Sequence, residues 1–236
     1  MQRLSKLGEV VRDTARLLTF RLTRDGFLGL GNKHLLFGLF CTWLVGIGRW
    51  WDDPGANVLQ HLGLGSVVYI FVLAGVLWLV VLPFGPPDWS YKRVLTFLSL
   101  TSPPALLYAI PVERFTDLAT ARSINVWFLA AVALWRVALL LFYFRRFARL
   151  KIIAALTSAL LPIIAIVATL TVLNLERAVF DIMGGLRETG TANDSAYAVL
   201  FVITFLSLYL FIPVFVIYAV TIAFGGLRRS DDSQTH

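Results

Sequence analysis

The chain has 236 residues, of which 58% are apolar and only 15% charged, with a net charge of +7 and a mean hydropathy of +0.77. Soluble domains run at about 45–50% apolar and about 25% charged, and they cannot hide a larger apolar share from water. The composition therefore excludes a soluble core, and the single cysteine, Cys41, excludes a disulfide framework.

The first 33 residues contain no continuous apolar run and no small-residue cleavage site, so they do not read as a secretory signal peptide. Leu4, Leu7, Val11, Ala15, Leu18 and Leu22 recur instead at helical spacing, with Arg3, Lys6, Arg12, Arg16 and Arg24 off that stripe. This pattern predicts a basic amphipathic helix. It would lie on an anionic cytoplasmic leaflet, its apolar stripe at the acyl boundary and Arg3, Lys6, Arg12 and Arg16 against headgroups. Packing under the protein's own bundle, or docking of a soluble partner, are the rival readings.

Six apolar stretches follow, at about 34–49, 65–84, 94–111, 124–144, 152–173 and 196–224. A helix needs about 20 apolar residues to cross the hydrocarbon, so the predicted fold is an all-α polytopic bundle of about six transmembrane helices. The first stretch is short and borrows Arg49, Trp50 and Trp51 at an interface; the last is long enough to tilt. Trp89 and Trp127 also fall where an aromatic belt is expected. Residues 174–188 predict a second surface helix, and the tail from 225 to 236 is polar. Asn193-Asp194-Ser195 matches a glycosylation triplet but lies so close to the last span that it reads as chance.

Charge fixes the predicted topology. Fifteen Lys and Arg residues fall on the side that holds the N-terminal segment, Lys92-Arg93, the link 145–151 and Arg228-Arg229, against five on the other side. The richer side is cytoplasmic by the positive-inside rule, which puts both termini in the cytoplasm. Short loops and this asymmetry point to a bacterial inner membrane.

Arg136 lies inside the fourth stretch, about nine residues from its cytoplasmic end and hence about 13 Å deep. A charge at that depth is costly and marks a candidate site. At a similar depth in the third stretch, Pro103 and Pro104 cannot donate to the carbonyls of Ser99 and Leu100, and Thr101 and Ser102 add hydroxyls. Two readings follow. Arg136 with Ser99, Thr101 and Ser102 binds an anion or lipid headgroup, as broken helices in transporters hold substrates, or Arg136 satisfies freed carbonyls and fixes packing. Glu113, Arg114, Asp117 and Arg122, with Asp52, Asp53 and His61 and with Glu176, Arg177 and Asp181, offer an outer vestibule or metal patch. Their spacing is not that of a ligand set, and interfacial ion pairs are the plainer reading. Neither Cys41 nor the Ser66/His61 pair has the partners that nucleophilic catalysis needs, so no catalytic, cofactor or metal site is expected.

The run Thr96-Phe97-Leu98-Ser99-Leu100-Thr101-Ser102-Pro103-Pro104, then Ile110-Pro111, Trp127 and the basic link from Arg145 to Lys151, resembles the middle of the Yip1 family of multi-span membrane proteins. The resemblance covers residues 92–162, about a third of the chain. It implies a helical bundle with a cytoplasmic N-terminal tail and a role in membrane organisation or trafficking. That family has five spans where this sequence predicts six. The expected function is thus a non-enzymatic membrane component, with lipid and another membrane protein as partners and no nucleic acid; a small transporter or permease subunit using Arg136 is the alternative.

Overall fold

A computed structural model describes residues 2–48, 62–110, 112–172 and 194–225. The described residues are helical, without a β-strand. In chain order the helices are α1 (Gln2–Leu18), α2 (Arg24–Gly29), α3 (Asn32–Gly48), α4 (Leu64–Val81), α5 (Tyr91–Leu100), α6 (Leu118–Arg146), α7 (Ile152–Val172) and α8 (Asp194–Ala223). Short 3₁₀ segments at Leu82–Phe84, Pro103–Ala109 and Val112–Arg114 link them. Four helical stretches are long and apolar enough to cross a membrane: Leu64–Phe84, Ser123–Arg146, Ile152–Thr169 and Thr204–Ala223. Their outward faces are apolar, as at Val68, Val72, Leu134, Ile212 and Phe215, each at least half exposed. A soluble fold would bury such faces, whereas lipid solvates them.

The chain divides into two compact units, Met1–Leu150 and Lys151–His236. In the first, α3 and α4 form a hairpin closed by glycine: a Cβ on Gly46 would lie 2.7 Å from the carbonyl oxygen of Gly63. Gly63 itself has φ +68°, which side chains disfavour. Trp43 donates its indole N–H to the Leu62 carbonyl at the same end. At the far end of α4, Trp89 donates to the Trp78 carbonyl and Tyr91 to that of Phe71, so α5 folds back along α4. Helix α5 is the centre of this unit: every residue from Val94 to Ser102 is buried, with α3 and α4 packed against it.

The third apolar stretch departs from a continuous span. Its helix ends at Leu100, tightens through Thr101 and Ser102, and continues from Pro103 as a 3₁₀ segment. Pro103 removes the N–H that Ser99 would have used, as its ring chemistry dictates. The Ser99 carbonyl is not left free, however, because the Ser102 N–H donates to it at 3.2 Å. The tightened turn itself is enclosed by protein, with Thr101 1% and Ser102 3% exposed.

Helix α1 packs on the first unit with Val10, Thr14 and Leu17, all at most 4% exposed, while Leu7 and Val11 of the predicted stripe are about half exposed. The docked face is rotated from the predicted stripe, because two adjoining strips of the helix are apolar and periodicity does not say which one meets protein. Its end is built as a Schellman turn: Arg21 N–H donates to the Arg16 carbonyl and Phe20 N–H to that of Leu17. Phe20 occupies the position usually held by glycine, at φ +61°, and its ring rests edge-on against Phe142. Trp135 of α6 donates to the Leu18 carbonyl, satisfying one of the helix's last acceptors.

In the second unit α7 and α8 pack together. The buried face of α7 is small, with Ala154, Ala155, Ser158 and Ala159, which lets backbones approach closely. Helix α8 buries Ser207, Val214 and Tyr218 and leaves most of its other large apolar side chains exposed. The predicted surface helix at 174–188 and the glycosylation triplet's Asn193 lie outside the described residues, as do Asp52, Asp53 and His61.

Candidate functional site

Two arrangements in the first unit carry polar chemistry, and the first is the break in α5. Gly38 lets α3 approach until a Cβ there would stand 2.8 Å from the Ser99 carbonyl carbon. One turn on, Thr42 donates its hydroxyl proton to the Gly38 carbonyl at 2.9 Å, and its oxygen lies 2.7 Å from that of Ser102. A hydroxyl has one proton, so Ser102 is the donor in that pair. Ser99 donates to the Thr96 carbonyl and Thr101 to that of Leu98. All three hydroxyl protons predicted for an anion site are thus committed within the protein. An anion held at Arg136 would have to be bound without them.

Arg136 is half-buried on α6, beside the Trp135 that reaches the end of α1. Among the residues that the sequence offers for an outer vestibule, Asp117 serves its own helix. Its carboxylate accepts the Thr120 N–H at 3.0 Å and caps the start of α6. Arg114 is exposed. Glu176, Arg177 and Asp181 lie outside the described residues, and no group of three potential metal ligands occurs among those described.

The second arrangement sits where α2, the start of α5 and the end of α6 converge. Phe97, Tyr143 and Phe147 stack as a column, with centroids 4.0 and 5.1 Å apart and planes within 5° of parallel. Phe27 of α2 meets this column edge-on at Tyr143, and Trp89 closes it from the α4–α5 link. Trp89 is therefore a packing residue of the core end and less a belt anchor, whereas Trp127 is 72% exposed. The Arg93 guanidinium lies over the Phe147 ring at 5.8 Å, a cation–π geometry.

Asp88 holds two arginines at this end. Its carboxylate is 2.9 Å from Arg24 Nη2 and 3.5 Å from Arg93 Nη1, and its carbonyl also accepts from Arg93. Asp88 has φ +62°, a left-handed conformation that Asp tolerates better than most residues. One carboxylate against two guanidiniums leaves the cluster with a formal charge of +1.

No family model matches the chain, and no curated protein or solved structure does either. Its chemistry rests on its own residues. Sequence reasoning finds the α5 break through Pro103-Pro104 and passes over the Arg93–Tyr143 end. The available signal is the i, i+4 pair Tyr143/Phe147 beside an arginine-rich link, which periodicity assigns to ordinary apolar packing. The small residues Gly38, Thr42 and Gly46 at four-residue spacing are a second signal, marking the face of α3 where helices approach closely.

The residues expected at a membrane surface are placed in part. Arg12 and Arg16 are exposed and lie 3.8 and 3.7 Å from Asp13. The side chains of Arg3 and Lys6 lie outside those described. Asp13 also faces His34 at the start of α3, with 3.5 Å between Asp13 Oδ2 and Nε2. His34 Nδ1 accepts the Gly31 N–H, so a neutral His34 carries its proton on Nε2, toward Asp13.

Proposed function

We propose that this protein is a non-enzymatic, six-span component of a bacterial inner membrane, with both termini in the cytoplasm and a role in membrane organisation or assembly. Lengths support the two crossings that are not long continuous helices. Helix α3 has 17 residues, about 26 Å at 1.5 Å per residue. The ten residues of α5 and the seven of its 3₁₀ continuation reach about 29 Å together, close to the hydrocarbon thickness. The hairpin contacts between α3 and α4, and between α4 and α5, support alternating directions.

The observation that carries the organising role is the closed state of the break: Ser99, Thr101 and Ser102 are at most 3% exposed, with their hydroxyl protons committed. A permease built on Arg136 and the broken third span would need water to reach that level. The Yip1-like residue order supports an organising role as a similarity of pattern. Arg3, Lys6, Arg12 and Arg16 supply the cationic side of a headgroup contact, and Leu7 and Val11 its apolar side.

Aqueous thiol labelling tests this reading. With Cys41→Ser as background, Ser102→Cys in membrane vesicles is expected to stay unmodified by a charged maleimide and to react after denaturation. Rapid labelling of the intact protein from either face would favour a transport path and overturn the organising role.

A further inference from the structure

We infer that the cavity between α2, α5 and the end of α6 receives one oxygen of a phosphate group, with Tyr143 and Arg93 as its donors. Tyr143 is 1% exposed, and among the described residues its hydroxyl has no hydrogen-bond partner. Leaving such a group unsatisfied is costly, so an occupant that accepts its proton is favoured. Tyr143 and Arg93 line a cavity of about 10 Å³ with Phe27, Leu30, Thr96 and Phe147. That volume admits a single water-sized atom. Thr96 has already donated its proton to the Lys92 carbonyl and can offer only an acceptor.

The charge around this opening selects among oxygen-sized occupants. Arg93 is one-third exposed, so its guanidinium reaches both the cavity and the outside. Arg24, which shares Asp88 with it, has a buried Nε without a partner among the described residues. The surplus positive charge favours an anionic group, and one oxygen of a phosphate can enter while the remainder stays over Arg93. A phospholipid headgroup and free phosphate share this chemistry. The inference rests on the proposed membrane-surface position of this end in taking lipid as the source, but the site's donors do not depend on which face is cytoplasmic.

The test uses the full chain in dodecyl maltoside micelles and follows thermal unfolding. Phosphatidylglycerol and inorganic phosphate are titrated separately at constant ionic strength, with chloride as the control anion. Wild type is expected to be stabilised by phosphatidylglycerol, and Tyr143→Phe to need about fivefold more lipid for the same shift, one hydrogen bond's worth. Arg93→Gln is expected to lose more, and Arg114→Gln, exposed beyond the 3₁₀ continuation of α5, to behave as wild type. Equal stabilisation by inorganic phosphate would support the site with free phosphate as its ligand. An unchanged titration in both Tyr143→Phe and Arg93→Gln would mean that water alone fills the cavity, and would overturn the inference. Tags on the two termini report the sidedness separately, so failure of the topology and failure of the site are distinguishable.

Discussion

At the scale of single residues, close approach decides which positions are irreplaceable. Gly38 faces the Ser99 backbone, and a larger side chain there forces α3 away from α5 and separates Thr42 from Ser102. Gly38→Val is therefore expected to destabilise the protein by about 1–3 kcal/mol, the usual cost of overpacking. Denaturant unfolding in micelles measures it, with Gly29→Ala as the control, since open space surrounds a Cβ at that position. The sequence shows Gly38, Thr42 and Gly46 at helical spacing, but spacing names a face and not what lies against it. Arg136 is legible for a different reason: a charge in an apolar run stands out on solvation cost alone. Tyr143 is not, because an aromatic in such a run is ordinary until its neighbours and its unpartnered hydroxyl are known.

At the scale of elements, the broken α5 and the docked α1 are the informative parts. Pro103-Pro104 makes the break readable, since proline's missing N–H acts locally. The response to it is not readable: a tightened turn, with Ser102 tied across to α3, depends on a neighbour 60 residues away. A double-mutant cycle on Thr42→Ala and Ser102→Ala is expected to give a coupling of about 0.6 kcal/mol, typical of hydroxyl bonds between membrane helices. A coupling near zero would mean that the two hydroxyls do not stabilise the break. For α1, Leu17→Asp would bury a charge at a position that is fully enclosed, whereas Glu9→Gln changes only a side chain on an exposed strip. Limited proteolysis of the N-terminal segment is expected to accelerate in the first variant and to remain as wild type in the second. The same acceleration in both would contradict the docked face.

At the scale of the whole molecule, composition carries most of the class and none of the chemistry. Exposed apolar faces such as those of α6 and α8 need hydrocarbon as their solvent, and 58% apolar content makes that legible without any structure. The number of crossings is less legible, because the six-span proposal requires one crossing made from a ten-residue helix and a 3₁₀ segment, which has neither the length nor the period of a spanning helix. Pro87 lies before α5, and Arg114 lies beyond its 3₁₀ continuation; both are exposed. Each is replaced by cysteine in the Cys41→Ser background and labelled with a membrane-impermeant maleimide in sealed vesicles of known orientation. Labelling of residue 87 from the cytoplasmic face and residue 114 from the opposite face is the predicted result; labelling of both from one face would mean that the broken segment turns back without crossing.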